Sequence, residues 1–130
     1  MTSGGRSPHP NALPNYQNAI IPRDKLHGYA LNPSHKAIRP GGSSGKNKAR
    51  VFKSVLGFDQ SNWELLQQRI REELPYYEAV PKEDNQYGKR YNVTLLITGP
   101  NGRTVNALTA WIVKSGTDYP LLTTIYIVGT

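Results

Sequence analysis

The residues best suited to chemistry lie in a cationic segment at positions 35–52, which reads HKAIRPGGSSGKNKARVF. The segment holds His35, five lysines or arginines, and no carboxylate. Its first half combines glycine, serine and proline, which is typical of a loop without regular structure. Such a segment is suited to holding phosphate groups, and its imidazole is suited to moving a proton near neutral pH.

These residue types fit RNA cleavage by internal transesterification. A histidine can accept the proton of the 2′-OH, and lysine, arginine and hydroxyl donors can stabilise the charge that builds on the phosphorane oxygens. The sequence contains no cysteine, no HExxH motif, no Walker-type phosphate loop and no Gly-x-Ser-x-Gly elbow. We therefore expect a site that uses neither a metal ion nor a cofactor.

The positive charge is concentrated towards the N-terminus. Residues 1–50 hold eight lysines or arginines and one acid, Asp24, whereas residues 51–130 hold eight of each sign. All of the formal net charge of +7 thus lies in the first 50 residues. This asymmetry favours a phosphate-rich partner such as RNA. The alternative is a basic leader that serves only solubility.

The first 15 residues are predicted to be a leader. Residues 1–15 are dominated by Gly, Pro, Ser and Asn and show no periodicity, which indicates a flexible leader or linker. Residues 16–130 then fit a single domain, since domains commonly hold roughly 100–150 residues. Every apolar run is far shorter than the roughly 20 residues that span a bilayer, and no secretory signal is visible.

Helices are predicted in the first half of the domain. A short helix follows Pro22, and a second occupies NKARVFKSVLGF and stops at Gly57. A third begins at a capping box formed by Ser61 and Glu64 and ends before Pro75.

The last third of the chain is predicted to be sheet. KRYNVTLLIT and RTVNALTAWIV flank the turn sequence GPNG, and a third strand, PLLTTIYIV, follows. The order of elements predicts an α+β fold, with two or three N-terminal helices packed on a C-terminal antiparallel sheet of three to five strands.

The hairpin predicts which residues share a face of the sheet. A two-residue turn within GPNG would place even-numbered residues of the first strand opposite odd-numbered residues of the second. The predicted core face then holds Tyr91, Val93, Leu95, Ile97, Leu108, Ala110 and Ile112, with Leu121, Ile125 and Ile127 from the third strand. The predicted polar face holds Arg90, Asn92, Thr94, Ala107, Thr109 and Trp111, with Thr124 and Tyr126 from the third strand. Aromatic rings on such a face could stack an unpaired base, which favours a binding role; the alternative is an ordinary solvent face.

The chain also resembles a known group of toxins. KLHGYALNPSH, GKNKARVFKSVLGF, QYGKRYNVTLLITGPNGRTVNALTAWIV and YPLLTTIYIV follow one another in the order found in a toxin module. That module occurs at the C-termini of bacterial polymorphic and contact-dependent growth inhibition proteins, and as small stand-alone proteins. The resemblance covers roughly residues 13–128. The helix-then-sheet order and the Thr-x-Trp sequence further resemble the barnase/EndoU/colicin-D/RelE group of ribonucleases.

The resemblance implies a first set of roles on the cationic side. The Asn-Pro-x-His pattern carries over to His35 as general acid and base, and the Gly-x-x-Lys-Ala pattern carries over to Lys48 as a phosphate clamp. Arg90 would be a second clamp and Lys46 a further substrate-binding cation. Lys36 stands where the family pattern usually has proline, and if His35 does not act, Lys48 and Arg90 would carry more of the chemistry.

A second set of implied roles lies on the sheet. The hydroxyl-x-Trp pattern of the colicin-D-like group carries over to Thr109 and Trp111, and Leu-x-Thr-x-Tyr carries over to Thr124 and Tyr126. Thr109 and Thr124 would donate hydrogen bonds to the transition state, while Trp111 and Tyr126 would hold the base. Substitution of Lys48 or Thr109 by alanine is then expected to abolish toxicity without unfolding the domain.

The resemblance implies a metal-independent endoribonuclease toxin used in interbacterial competition, cutting tRNA or another structured RNA at an unpaired loop. It would be secreted or delivered at the cell surface within a larger effector and act in the cytoplasm of the target cell. An acidic immunity or antitoxin protein is an expected partner, and a host protein activator is a further partner class. The alternatives are a non-catalytic RNA- or protein-binding module and the toxin of a toxin–antitoxin pair. A DNase ranks below these, because the sequence offers no carboxylate metal site.

Overall fold

The structure, a computed structural model, describes residues 6–34 and 44–128, with the backbone alone for 44–47. Within those ranges, helices come first and a four-stranded antiparallel sheet follows, so the predicted α+β fold is confirmed. The helices are α1 (Arg23–Lys25, continued by a π-type turn Leu26–Ala30), α2 (Ser44–Val51, continued by a π-type turn Phe52–Leu56) and α3 (Trp63–Glu73), with 3-10 turns at Tyr16–Asn18, Gln60–Asn62 and Leu74–Tyr76. The strands, each paired with the next in the chain, are β1 (Ala79–Asn85), β2 (Gly88–Thr98), β3 (Thr104–Lys114) and β4 (Leu121–Ile127). No helix in the described ranges is long and apolar enough to cross a membrane.

The hydrophobic core lies between the helices and one face of the sheet. Its fully buried side chains include Phe52 and Leu56 after α2, Leu66 and Ile70 on α3, and Val93, Leu95 and Ile97 on β2. Removing a side chain of this size from water stabilises the fold by about 1.5–3 kcal/mol. Burial therefore fixes α2 against the sheet, and with it the residues that α2 presents to β4.

The helical region that begins with α2 ends where the sequence predicts, at Gly57. This glycine has φ +85°, a left-handed conformation that is costly for residues with a Cβ. Its amide donates to the carbonyls of Phe52 and Lys53, both at 3.0 Å, which satisfies groups that the helix end would leave unpaired.

The cap before α3 differs from the predicted box of Ser61 and Glu64, because it lies at the start of the 3-10 turn Gln60–Asn62 that leads into α3. The Asp59 carboxylate accepts from the Ser61 backbone N–H at 2.9 Å, and the Asn62 side chain accepts from the Asp59 N–H at 2.8 Å. A carboxylate suits the partial positive charge at a helix start better than a neutral hydroxyl does, which accounts for the earlier cap.

Part of the predicted leader is packed on the domain. Leu13 is 1% exposed within the core cluster. The Arg6 guanidinium bonds both carboxylate oxygens of Glu73, at 3.2 and 3.0 Å, and lies 3.8 Å from the centroid of the Tyr76 ring. The Ala79 N–H at the start of β1 donates to the carbonyl of Asn11 at 2.9 Å. Over residues 6–15 the chain therefore belongs to the domain.

The connection between β2 and β3 is longer than the predicted two-residue turn. The strands separate after the pair Thr98 and Thr104, which leaves residues 99–103 as the loop. Even-numbered residues of β2 consequently pair with even-numbered residues of β3, such as Asn92 with Ala110. The predicted assignment of β3 residues to faces is therefore wrong.

Contacts with α2 explain this loop length. The Asn101 side chain donates to the carbonyl of Val55 at 3.0 Å, and its backbone N–H donates to the carbonyl of Leu56 at 3.3 Å. Gly99 packs so closely that a Cβ at this position would lie 2.0 Å from the Leu56 oxygen. The loop thus caps the end of α2, a tertiary demand that local turn preferences do not contain.

The corrected register puts different β3 residues in the core. Ala107, Thr109 and Trp111 face the helices and are at most 1% exposed, whereas the predicted core residues Leu108, Ala110 and Ile112 lie on the opposite side. We call that opposite side the open face; on β2 its residues Arg90, Thr94 and Leu96 are exposed.

The faces of β4 agree with the prediction except at one end. Ile125 is buried and Ile127 packs against the core, while Thr124 and Tyr126 pair with Ala110 and Leu108 of the open face. The register shifts after the Ala110–Thr124 pair, so Leu122 is buried where Leu121 was predicted. A β-bulge at this point redirects the strand, and alternation alone does not reveal it.

Candidate functional site

A lysine from the cationic segment meets β4 at the edge of the sheet. The Lys48 Nζ donates to the Thr124 Oγ1 at 3.0 Å. It lies 4.7 Å from the centroid of the Tyr29 ring and 5.8 Å from that of the Tyr126 ring. We call these four residues the Lys48 site. They come from the turn after α1, from α2 and from β4, so the site exists only in the folded chain.

Core neighbours hold each member of the Lys48 site in place. Lys48 lies one turn before the buried Phe52 on the same side of its helix. Tyr29 precedes the buried Ala30, and the buried Ile125 separates Thr124 from Tyr126. The core therefore sets the distance between the ammonium and the β4 hydroxyl.

The electrostatics of the Lys48 site suit an anion beside a planar group. A tyrosine face attracts an ammonium by about 0.5–1 kcal/mol when exposed and about 2 kcal/mol when desolvated. Lys48 is half-buried between two such rings, and Tyr126 is 40% exposed. Because the Thr124 hydroxyl accepts from Lys48, its own proton is directed to another acceptor. The arrangement offers a fixed cation, a hydroxyl donor and an accessible ring.

Among the other predicted cationic residues, Arg90 is the one whose side chain the structure describes. Arg90 is exposed on the open face, on β2, and is separated from β4 by the intervening β3. Lys46 lies on α2, and its side chain falls outside the description. His35 lies outside the described residues, and its role stays a prediction. Lys48, Thr124 and Tyr126 are thus the predicted residues that the fold brings together.

Thr109 and Trp111 lie in the hydrophobic core and not on the accessible face where they were predicted. The Thr109 Oγ1 donates to the carbonyl of Val93 at 2.7 Å and accepts from the Trp111 Nε1 at 2.8 Å. Thr109 is 0% and Trp111 is 1% exposed, so neither side chain is presented on an accessible face as predicted. The expectation that Thr109 lies outside the core is wrong, because the register of β3 is the reverse of the predicted one.

Tyr29 is the member of the site that sequence reasoning misses. It follows Leu26 at helical spacing, which predicts a packing residue on the short helix. No local pattern links it to Tyr126 at the other end of the chain. Only the docking of this helix beside β4 and α2 reveals its contact with Lys48.

A pocket lies on the open face next to the Lys48 site. Its volume is about 250 Å³. It is lined by Asn85, Arg90, Tyr91, Asn92, Ala110, Trp111, Ile112 and Thr123. Thr123 adjoins Thr124 in sequence, and its Oγ1 donates to the carbonyl of Ala110 at 3.1 Å. The bulge in β4 thus connects this pocket to the ammonium of Lys48.

A second pocket lies on another side of α2. It has a volume of about 570 Å³, and Arg50, Lys53 and Asp59 are among its lining residues. Hydrogen bonds from the Lys53 ammonium and from Ser61 lower the pKa of Asp59 to about 2. Because Asp59 also caps the 3-10 turn Gln60–Asn62 that leads into α3, this ion pair has a structural explanation.

Among residues 6–34 and 44–128, no three His, Asp or Glu side chains cluster in a way that could hold a metal ion.

Fold and site together define a small α+β domain with a lysine held between aromatic rings at the edge of an open sheet. The chain belongs to the DUF6883 family, a domain of unknown function, whose sequence profile matches residues 12–129. No curated protein and no solved structure matches the chain.

Proposed function

We propose that this domain is a metal-independent endoribonuclease that cleaves tRNA or another structured RNA by attack of a 2′-OH on the adjacent phosphate. The observation that carries the proposal is the hydrogen bond from Lys48 to Thr124, 3.0 Å long, beside an accessible Tyr126 ring. This pairing puts a cation, a hydroxyl donor and a base-stacking surface within the span of one nucleotide.

The groups of the Lys48 site divide the work of transesterification. The Lys48 ammonium holds a non-bridging phosphate oxygen and stabilises the charge that grows on it. The Thr124 hydroxyl turns its proton towards the same phosphate, and the Tyr126 ring stacks a neighbouring unpaired base. His35 is the proposed general acid and base, 13 positions before Lys48 in the same segment. It would take the proton of the attacking 2′-OH and return a proton to the 5′-oxygen that leaves the phosphate. Lys46 and Arg90 are the proposed additional phosphate contacts.

The biological setting of the proposal is interbacterial competition. The domain would be delivered as part of a larger secreted or surface effector, or act as the toxin of a toxin–antitoxin pair, and would cut RNA in the cytoplasm of the target cell. A cell that makes such an enzyme must block it, and an acidic immunity protein would be drawn to the basic side of the domain. The formal net charge of +7 supports this choice of partner.

A direct test is to incubate the purified chain with total RNA in the presence of EDTA, with and without a cell extract to supply protein activators. The expected products carry a 2′,3′-cyclic phosphate, and a substrate with 2′-deoxyribose throughout stays intact because it lacks the nucleophile. Intact RNA at high protein concentration under both conditions would overturn the proposal. Cleavage of the deoxy substrate would assign a different mechanism.

A second candidate is a non-catalytic RNA-binding module. A lysine, a hydroxyl and two aromatic rings are binding groups, and the imidazole that would move the proton lies outside the described residues. Such a module would bind RNA with a steep dependence on salt, because phosphate contacts release counterions. It would give no cleavage product, and its expression would not stop growth.

A further inference from the structure

The pocket beside the Lys48 site has the shape of a subsite. Asn92 pairs with Val80 of β1 on one side and with Ala110 of β3 on the other, so its side chain stands on the open face between two strands. The methyl group of Ala110 is small, and Ile112, at 8% exposed, lies next to it along β3. A small apolar floor beside a polar wall leaves room for a planar group.

Two polar side chains of this pocket, Asn92 and Arg90, are not hydrogen-bonded to other described side chains. Asn92 is half-buried, yet its amide makes no side-chain hydrogen bond within residues 6–34 and 48–128. Over the same ranges, the neighbouring Arg90 guanidinium forms neither an ion pair nor a side-chain hydrogen bond. An amide provides both donors and an acceptor, the combination that reads the edge of a nucleobase.

The pocket also has the right position relative to the Lys48 site. Thr123 lines the pocket and the next residue, Thr124, binds the ammonium. Their Cα atoms are therefore about 3.8 Å apart. With a volume of about 250 Å³, the pocket is smaller than the roughly 300–1,000 Å³ typical of sites for drug-sized ligands. A single base attached to a phosphate at Lys48 is a ligand of suitable size.

We propose that this pocket receives the nucleobase adjacent to the phosphate held by Lys48, with Asn92 reading the base edge and Arg90 contacting the next phosphate. This assignment rests on the proposed function and adds its substrate preference. The bound segment is unpaired, because a base inside a duplex cannot present its edge to a sheet pocket. The single strand would run across the open face from β4 towards β2.

The test is to measure binding of the full chain to four single-stranded 2′-O-methyl homopolymers, which cannot be cleaved by this route. The wild type is expected to bind one of the four about tenfold more tightly than the weakest. Asn92→Ala should remove most of that preference and retain the binding that is common to all four. Arg90→Ala should weaken binding to all four alike and reduce the slope of log affinity against log salt by about one.

A matched control is Thr94→Ala, which truncates an exposed residue of the open face two positions along β2, outside the pocket lining. It should leave both the preference and the salt slope unchanged. Equal binding of all four homopolymers by the wild type, or a preference that survives Asn92→Ala, would overturn this inference while RNA cleavage would still support the proposed function. Absence of RNA binding together with absence of RNA cleavage would overturn both.

Discussion

The indole N–H of Trp111 donates to the hydroxyl of Thr109 at 2.8 Å, and that hydroxyl donates in turn to the carbonyl of Val93 at 2.7 Å. This buried chain joins two neighbouring strands on the helix-facing side of the sheet. It removes the two residues from the candidate site and makes them part of the structure that supports it. The Lys48 site depends on the same sheet through β4.

We expect Thr109→Val to destabilise the domain. The valine keeps the shape but leaves the Trp111 indole N–H without its observed acceptor, and burying such a group without a partner costs about 1–3 kcal/mol. Urea denaturation should therefore show a lower midpoint with an unchanged slope. Thr123→Val, which removes the corresponding half-buried hydroxyl contact on β4, is the control and should cost less. A Thr109→Val protein as stable as the wild type would contradict the structural role.

We expect Gly99→Ala to be among the most disruptive single-methyl additions. The new Cβ would lie 2.0 Å from the Leu56 oxygen, so the loop would have to leave the end of α2. Overpacking of this kind costs about 1–3 kcal/mol or more. Gly28→Ala is the comparison, because its Cβ would meet nothing closer than 3.8 Å. Thermal unfolding should show a much lower melting temperature for Gly99→Ala and little change for Gly28→Ala. Equal melting temperatures of the two variants would mean that the loop does not pack against Leu56 as described.

We expect the contribution of Asp59 to stability to depend on pH. The bonds from Lys53 and Ser61 hold its pKa at about 2, below the unfolded value. A group with a lowered pKa in the folded state stabilises it above the unfolded pKa, and this contribution is lost as the pH falls towards 2. The Lys53 side chain is 64% exposed, so solvent screening keeps the ion-pair contribution below about 1 kcal/mol.

The measurement is the unfolding free energy of wild type and Asp59→Asn between about pH 7 and the acid limit of the fold. The difference should be largest above the unfolded pKa of about 3.9 and shrink below it. Asp118→Asn, which removes a carboxylate at an exposed position, is the comparison variant. A difference that grows on acidification would contradict the assigned ion pair.

We expect Leu13→Ala to destabilise the domain although it lies in the segment predicted as a leader. Leu13 is 1% exposed, and truncation of a buried leucine costs about 2–5 kcal/mol. Pro14→Ala, at the exposed neighbouring position, should change the unfolding midpoint much less. If both variants unfold like the wild type, the N-terminal segment does not contribute to the core.

Particular residues show how far sequence reasoning reaches here. The alternation of β2 predicts its core face, because Val93, Leu95 and Ile97 alternate with polar or exposed neighbours. The strand β3 carries apolar residues at even-numbered and at odd-numbered positions, so alternation does not identify its core face. Which side of β3 faces the helices depends instead on the length of the preceding loop. That length is set by contacts with Val55 and Leu56 on a distant helix, which no local pattern encodes.

In the candidate site, too, local sequence patterns predict some residues and tertiary contacts determine the others. Lys48, Thr124 and Tyr126 were each predicted from short patterns, and the fold brings them together. Thr109 and Trp111 were predicted from the hydroxyl-x-Trp pattern, and their predicted place on the polar face is wrong because β3 presents its other side to the helices. Tyr29 needed a tertiary contact between the first helix and the last strand, so the sequence gives no signal for its place in the site.

The most direct test of the central claim compares RNA cleavage in EDTA by the wild type, Lys48→Ala and Arg50→Ala. Both variants remove one positive charge from α2, but Arg50 is exposed and lies outside the Lys48 site. The proposal predicts that Lys48→Ala lowers the cleavage rate by about 100-fold or more, with far-ultraviolet circular dichroism unchanged, while Arg50→Ala stays within a few-fold of the wild type. Equal cleavage by wild type and Lys48→Ala would contradict the claim that Lys48 and Thr124 form the reactive site.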